Sequence, residues 1–138
     1  MRLVCYDTRR DYTQFQRERG GVMALVDTAW RLEAFEGDAS APALDGVDVT
    51  LEFHQDAGGG LRMGGKSGCN RYTAGATVSG DTLTFSPIAG TRMMCPDPQM
   101  AVEDAYLRAL DSVSRYEEQG NQLVLFYPHG QLRFAPAA

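Results

Sequence analysis

Apolar and polar residues alternate over most of the chain after residue 28, which is the pattern of strands with one buried face. The clearest run carries Val47, Val49, Leu51 and Phe53, with a polar residue between successive members. Because side chains of a strand point to opposite faces in turn, this period of two predicts a half-buried strand. Alternation, or short runs of apolar and β-branched residues bounded by turns, also predicts strands in residues 30–34, 61–65, 72–78, 82–85, 88–93, around 116, 123–127 and 132–134.

Turn-forming residues separate these runs at short intervals. Residues 37–46 are rich in Gly, Asp, Ala, Ser and Pro and predict a loop, and residues 56–60 predict a glycine-rich turn. Residues 79–81, Ser-Gly-Asp, join two strand-like runs in the manner of a β-hairpin. Short strands joined by tight turns indicate a mainly antiparallel sheet.

One segment has a helical period instead. Asp97 suits the cap of this helix and Pro98 its first position, while Glu103 and Asp104 favour its early turns. Its apolar face, which we expect to pack on the sheet, consists of Val102, Ala105, Tyr106, Ala109, Leu110 and Val113. The pattern predicts an α+β fold, with an antiparallel sheet curled into a partial (cracked) β-barrel and one packed α-helix.

The length of 138 residues suits one domain. Residues 1–22 differ from the rest, with arginines around scattered aromatics and two glycines at the end. We interpret residues 1–22 as an N-terminal extension or arm and residues 23–138 as the domain.

Charge and hydropathy exclude two classes of partner. The formal net charge is −5, and phosphate binding needs clustered Lys and Arg, so we expect no nucleic-acid partner. No apolar run reaches the length of about 18 residues that a membrane-spanning helix needs. Residues 1–20 are polar and lack the apolar core of a secretory signal.

Residues 60–67 match the phosphate-binding pattern G-x-x-x-x-G-K-S, with Lys66 at the lysine position. That motif works where a strand enters the loop and a helix follows it. Gly68 and Gly75, with aromatic and β-branched residues between them, disfavour a helix there. We therefore do not expect nucleotide binding.

Other chemistry is weakly supported. The candidate metal ligands show no C-x-x-C or H-x-x-x-H spacing; they are Cys5, Cys69, Cys95, His54 and His129. Neither histidine is close in sequence to Cys69, which as a nucleophile would need a base. We expect no catalytic, metal or cofactor site, with a small thiol-dependent enzyme using Cys69 as the alternative.

Cys69 and Cys95 each lie beside a predicted strand. They are either joined by a disulfide or packed as two reduced thiols, and the compartment decides between these states. Met63, Met93 and Met94 either line an adaptable apolar cavity or simply fill the core, and core filling is the stronger expectation.

Two segments around these cysteines resemble the paired signature of the META domain family, which includes the HslJ heat-shock proteins. The family signature residues are Gly68, Cys69, Asn70, Arg71, Tyr72, Thr91, Arg92, Met93 and Cys95. The resemblance extends from about Trp30 to Phe134 and includes a Trp-x-Leu opening strand. In that fold Gly68 and Asn70 would shape a turn, and Arg71 and Arg92 would tie loops together.

The resemblance implies a role but no reaction. Such proteins are typically small bacterial envelope proteins, often lipoprotein-like, and some are linked to stress response or secretion. The family fold is similar to the cracked barrel of type III secretion pilotins, which has an apolar cavity. We therefore expect a non-enzymatic domain that binds an apolar small molecule or an envelope protein, or else a purely structural interaction domain. The periplasm is the compartment that the resemblance suggests.

The interpretation of residues 1–22 as dispensable gives a first prediction. A chain that begins at Met23 should retain a single cooperative thermal transition, because the periodic pattern of core residues begins after that point. Circular dichroism melting of the two chains tests this, and loss of the cooperative transition in the shortened chain would contradict it.

Overall fold

A computed structural model describes residues 25–137 and shows nine strands and one helix within them. The strands are β1 (Ala29–Glu36), β2 (Thr50–Gln55), β3 (Leu61–Lys66), β4 (Arg71–Ser79), β5 (Thr82–Phe85), β6 (Ala89–Gly90), β7 (Arg115–Gln119), β8 (Gln122–Tyr127) and β9 (Gly130–Pro136). The helix, α1 (Gln99–Asp111), lies between β6 and β7 in the chain. It is not long and apolar enough to cross a membrane.

The strands form one antiparallel sheet that closes into a ring. The order is β3-β2-β1-β9-β8-β7-β5-β4-β6, and an additional pairing between β3 and β4 closes the ring and leaves β6 outside it. The seam between β5 and β7 is thin, since one register pair, Thr82 with Arg115, joins them. The predicted α+β partial barrel with one packed helix is confirmed.

β4 pairs with three other strands, and this makes the ring uneven. One of its edges pairs with β3 from Arg71 to Ala76. The other edge is divided, because its first part pairs with β6 and its last part with β5. β6 therefore lies beside the start of β4 as a short extra strand at the open side of the barrel.

Side chains fill the interior of the ring and continue under the helix. The largest fully buried members include Phe53, Met63, Leu125 and Phe134. Helix α1 adds a buried face that includes Val102, Glu103, Tyr106, Ala109 and Leu110. One continuous cluster thus joins barrel and helix, as the apolar face of the sequence predicts.

A pair of tyrosines fastens the helix to the strands. The hydroxyl of Tyr72 donates to the carbonyl oxygen of Thr50 at 2.7 Å and lies 2.5 Å from the hydroxyl of Tyr106. Since the single proton of Tyr72 is used on Thr50, the Tyr106 hydroxyl is the donor in the second bond. Both buried hydroxyls have partners, which removes the penalty of burying them.

Two local predictions are corrected. The second strand begins at Thr50, not at Val47, although Val49 is fully buried as the alternation requires. Pro98 occupies the N-cap position of α1 and has no side-chain cap bond. The carboxylate of Asp97 instead accepts the backbone N–H of Ala101 at 3.2 Å, so it caps the first turn from one residue further back.

The glycines of β3 have a packing reason. Gly65 has a φ of +156°, and a Cβ there would lie 2.4 Å from the carbonyl oxygen of Thr50. A Cβ at Gly64 would lie 2.7 Å from the carbonyl oxygen of Tyr72. The sequence suggests that these glycines loosen the strand, whereas the structure shows that they allow the neighbouring backbones to approach closely.

Candidate functional site

The two cysteine segments meet at the open side of the barrel. We call residues 67–71 the first cysteine turn and residues 91–95 the second cysteine segment. A disulfide joins Cys69 to Cys95, with an S–S distance of 2.01 Å and a Cα–Cα distance of 6.0 Å. Of the two states left open by the sequence, the structure therefore has the bonded one.

Beneath this disulfide, one buried carboxylate organises the first cysteine turn. Oε1 of Glu103 accepts the Ser67 hydroxyl at 2.7 Å and the backbone N–H groups of Asn70 at 2.7 Å and of Cys69 at 3.1 Å. Oε2 accepts the side-chain amide of Asn70 at 2.8 Å. Only 5% of Glu103 is exposed to solvent. Four donors from one turn therefore converge on a single helix residue.

The side chain of Asn70 connects the first cysteine turn to the second cysteine segment by hydrogen bonds. Its Oδ1 accepts the backbone N–H of Met93 at 2.7 Å and the hydroxyl of Thr91 at 2.9 Å. Its Nδ2 also donates to the carbonyl oxygen of Met93 at 3.0 Å. Both halves of the amide are thus satisfied, and the backbone of Met93 is held at its N–H and at its carbonyl.

The balance of forces keeps Glu103 ionised. Burial raises the pKa of its carboxyl group, but the hydrogen bonds from Asn70, Ser67 and Cys69 favour the charged form. The net effect holds the pKa of Glu103 below its ordinary value. A carboxylate that accepts several backbone and side-chain N–H bonds is the usual cause of such a shift.

Close approach of the turn to the helix requires Gly68. Its φ is +124°, and a Cβ there would lie 3.1 Å from the carbonyl oxygen of Gln99 in the first turn of α1. A side chain at this position would strain the backbone and push the turn away from Glu103.

The second cysteine segment displays two methionines to solvent. Met93 is 59% exposed and Met94 is 85% exposed, and they are the large hydrophobic residues left exposed in the part of the chain that the structure describes. The expectation that both fill the core or line a cavity inside the barrel is therefore wrong. Met63, by contrast, is fully buried within the barrel.

These methionines border a groove of about 680 Å³ between α1 and residues 87–94. Its lining mixes apolar side chains with charges and includes Ile88, Met93, Met94, Met100, Leu107, Arg71, Arg92, Asp104, Arg108 and Asp111. A second hollow, of about 400 Å³, is lined by parts of β2, β3, β4 and β6. Arg71 and residues 89–91 line both, so β6 stands as a ridge between them.

Arg71 and Arg92 do not tie loops together as expected. Arg71 takes part through its backbone, which bonds to Thr91. Within residues 25–137 neither guanidinium, nor that of Arg108, lies within 4.0 Å of a carboxylate oxygen. All three side chains are exposed and line the groove.

Other sequence candidates lie elsewhere and apart from one another. Residues 61–66 of the phosphate-binding pattern form β3, and residues 71–79 form the next antiparallel strand, where that motif would need a helix. His54 and His129 are exposed. No group of three His, Cys, Asp or Glu side chains that could hold a metal occurs in the described residues. Cys5 lies outside those residues.

Sequence reasoning missed the central role of Glu103. It assigned this residue to favourable placement near the start of the helix, whereas its side chain is buried against the first cysteine turn. The spacing along the helix could have predicted its burial, because Glu103, Tyr106 and Leu110 stand at i, i+3 and i+7 and therefore share the buried face. A carboxylate on an apolar face requires buried donors nearby.

Comparisons with known proteins agree on the fold. The family model described as "META domain" matches residues 23–138. An NMR structure of a protein from Burkholderia xenovorans is 32% identical, with a TM-score of 0.69 over 85% of this chain and 86% of that one. No curated protein matches the chain.

Two more distant solved structures show likeness of fold alone. One is an NMR structure with 23% identity and a TM-score of 0.65, covering 85% of this chain and 95% of that one. The other is a crystal structure of a DUF4847 family protein from Bacteroides vulgatus. It has 14% identity and a TM-score of 0.56, covering 83% of this chain and 96% of that one.

The buried carboxylate predicts a pH-dependent loss of stability. In Glu103→Gln one oxygen becomes an NH₂ group that faces other donors, so we expect the free energy of unfolding to fall by about 2–3 kcal/mol at pH 7. Because the folded pKa of Glu103 is lowered, its contribution is present above the unfolded pKa of about 4.3 and disappears as the pH falls through the folded pKa. Urea unfolding at a series of pH values measures the difference between wild type and variant.

Asp104→Asn is the matched control for that series, since Asp104 is the exposed neighbour on the same helix. It should change stability by less than about 0.5 kcal/mol. A Glu103→Gln variant as stable as Asp104→Asn at pH 7, or a gap that widens in acid, would contradict the assigned role.

The disulfide should contribute separately. Cys69→Ser/Cys95→Ser opens a loop that spans 26 positions, and chain entropy predicts a loss of about 3.5 kcal/mol. Cys5→Ser, which keeps the bond, is the control and should unfold at the wild-type urea concentration. Equal stability of the double variant and this control would show that the bond does not stabilise the fold.

Proposed function

This chain belongs to the META domain family, and on that premise we propose that it is a non-catalytic binding domain that holds a protein partner in the groove between α1 and residues 87–94. The observation that carries the proposal is the pair of exposed methionines on a segment of fixed backbone. A role at the bacterial envelope, in stress response or secretion, is the setting that the family resemblance suggests. The disulfide supports an oxidising compartment such as the periplasm.

Fixed backbone beside flexible side chains favours binding. The N–H and the carbonyl of Met93 are hydrogen-bonded to Asn70, and Cys95, two residues further on, is held by the disulfide. A partner would therefore order few backbone torsions on docking, which lowers the entropy cost of association. Methionine side chains, being unbranched and polarisable, adapt to the shape of an apolar surface. Exposed apolar groups rimmed by charges are typical of protein interaction sites.

The filled barrel favours the groove over an internal ligand site. The fully buried set includes Phe53, Met63, Leu125 and Phe134, which point into the space that an apolar ligand inside the ring would need. The groove, in contrast, is open and already lined by apolar side chains. Of the two occupants that the resemblance implies, a protein partner fits the geometry better.

The alternative of a thiol enzyme loses its nucleophile in this state. The sulfur of Cys69 is bonded to that of Cys95, and a disulfide sulfur carries no thiolate for attack on a substrate. The side chains that surround the first cysteine turn bond to one another, and their geometry supports an architectural role.

The methionine pair gives the test of this proposal. Met93→Ser/Met94→Ser should abolish retention of the partner by tagged protein, because it removes apolar area that the partner would bury. Met93→Leu/Met94→Leu keeps apolar side chains of similar size and should retain it. Quantitative mass spectrometry of proteins retained from a host envelope extract identifies the partner as the protein that follows this pattern.

Direct titration of that partner, once purified, then measures affinity. We expect a loss of at least tenfold in the serine variant and less than threefold in the leucine variant, with equal melting temperatures because both side chains are exposed. If no protein distinguishes the two variants, or if the purified partner binds both equally, the groove is not the binding site.

A further inference from the structure

Strand β6 has an unpaired edge that faces the groove. It is the last strand in the sheet order, and within residues 25–137 its one pairing partner is β4. Both of its residues, Ala89 and Gly90, are exposed and line the groove. An edge strand with open N–H and C=O groups is a template for another strand unless it is covered.

The hydrogen bonds of neighbouring residues fix the direction of the open groups. The N–H of Thr91 bonds to the carbonyl of Arg71, and the N–H of Met93 bonds to Asn70, so both point towards the first cysteine turn. Successive N–H groups of an extended chain point in opposite directions. Because the N–H groups of Thr91 and Met93 point to the same side, we infer that the N–H of Arg92 between them points away from β4, and Arg92 itself lines the groove.

Gly90 continues the same alternation. It lies opposite Tyr72 in the ladder and next to the bonded pair of Thr91 and Arg71, which makes it a non-hydrogen-bonded position. Its N–H and C=O therefore also point away from β4. Gly90 and Arg92 offer backbone groups at a spacing of two residues, which is the spacing that an added antiparallel or parallel strand uses.

The charges around this edge favour an acidic occupant. Arg71, Arg92 and Arg108 line the groove with no carboxylate within 4.0 Å in the described part of the chain. The acids of the same lining are the exposed Asp104 and Asp111 and the buried Glu103, whose carboxylate already accepts four donors of the first cysteine turn. Three arginines therefore face two acids among the exposed side chains, although the chain carries a net charge of −5. Arginine forks bind carboxylates strongly and specifically.

We propose that the groove binds an extended, acidic segment of a partner protein, which adds to the free edge of β6 as a further strand and lays alternate apolar side chains against Met93 and Met94. This inference rests on the proposed function, and it adds how the partner binds and what chemical character the bound segment has. Backbone hydrogen bonds to Gly90 and Arg92 supply affinity, and the arginines and methionines select the side chains.

Two other occupants fit the charge less well. Residues 1–24 of this chain contain five arginines against three acids and would bring positive charge to the arginines of the groove. A second copy of β6 would place the same three arginines opposite themselves. Like charges across an interface disfavour both arrangements.

Selection from a phage-displayed library of random dodecapeptides on the purified full chain tests the proposal. We expect enrichment of acidic peptides with alternating apolar residues. Arg92→Pro and Arg92→Ala form the informative pair of variants, because both remove the guanidinium and only proline removes the N–H that faces the groove. Proline at position 92 restricts Thr91 to extended conformations, and equal melting temperatures of the two variants check that the fold is retained.

Synthetic copies of the most enriched peptide then give affinities by fluorescence anisotropy. We expect the peptide to bind Arg92→Pro at least tenfold more weakly than Arg92→Ala. N-methylation of alternate residues of the peptide should abolish binding in one register and leave it within threefold in the other, because only one edge of an added strand faces β6. The ¹⁵N amide signals of Gly90 and Arg92 should shift when the peptide binds.

The remaining outcomes separate failure of this inference from failure of the proposed function. Peptides that lose affinity for Met93→Ser/Met94→Ser but tolerate N-methylation in both registers overturn strand addition and leave the groove as a binding site. Enrichment of basic peptides, or of none, overturns the acidic strand. If the peptides bind Met93→Ser/Met94→Ser and Arg92→Pro with the same affinity as the wild type, both proposals are overturned. Dimerisation that Arg92→Pro abolishes, or displacement of the peptide by a synthetic copy of residues 1–24, would identify a different occupant and overturn this one.

Discussion

The burial of one ionised carboxylate, that of Glu103, is the constraint on which the open side of the barrel depends. A buried charge is tolerated only where enough donors surround it, and here a single turn supplies all of them. The turn must therefore hold one conformation, and a glycine with positive φ must stand where the turn meets the helix. The position of α1 and that of the first cysteine turn are consequently fixed together.

Hydrogen bonds link the Glu103 carboxylate to Asn70, and Asn70 in turn to the exposed second cysteine segment. The amide couples a buried group to the backbone of the second cysteine segment, and the disulfide closes the same connection covalently. The result is a segment that is rigid in its backbone but solvent-exposed at its methionine side chains. Family resemblance pointed to these residues as a signature, and the geometry gives them a physical purpose in supporting an exposed surface.

Local periodicity was sufficient to predict much of the fold. The alternation around Leu32 and Phe53 and the helical face around Tyr106 reflect burial that each segment shows on its own. Local periodicity does not predict that β3 pairs with β4 to close the ring, because which strands pair, and in which register, depends on contacts between residues far apart in the chain. The absence of a side chain at Gly64 allows the close approach to Tyr72 of β4, and its absence at Gly65 allows the close approach to Thr50 of β2, although in the sequence these glycines suggest a weak strand.

The candidate site was less predictable, for a reason that particular residues illustrate. Met93 and Met94 are apolar, so pattern analysis assigned them to the interior, and only the bonds at Asn70 and Cys95 explain why they remain outside. Glu103 is charged, so the sequence suggests only that it favours the early turns of the helix, and not that its side chain is buried. In each case a tertiary interaction reversed the preference of the side chain, as is expected where a structure supports function at the expense of local rules.

The covalent bond between residues 69 and 95 also changes how the chain responds to tension. Strands β4, β5 and β6 all lie within the segment that it encloses. A pull on the two ends of the molecule passes through the bridge and bypasses these strands, so they are not extended with the rest. If a partner is anchored on this enclosed portion, its attachment point would keep its local structure while force unravels the outer strands of the barrel.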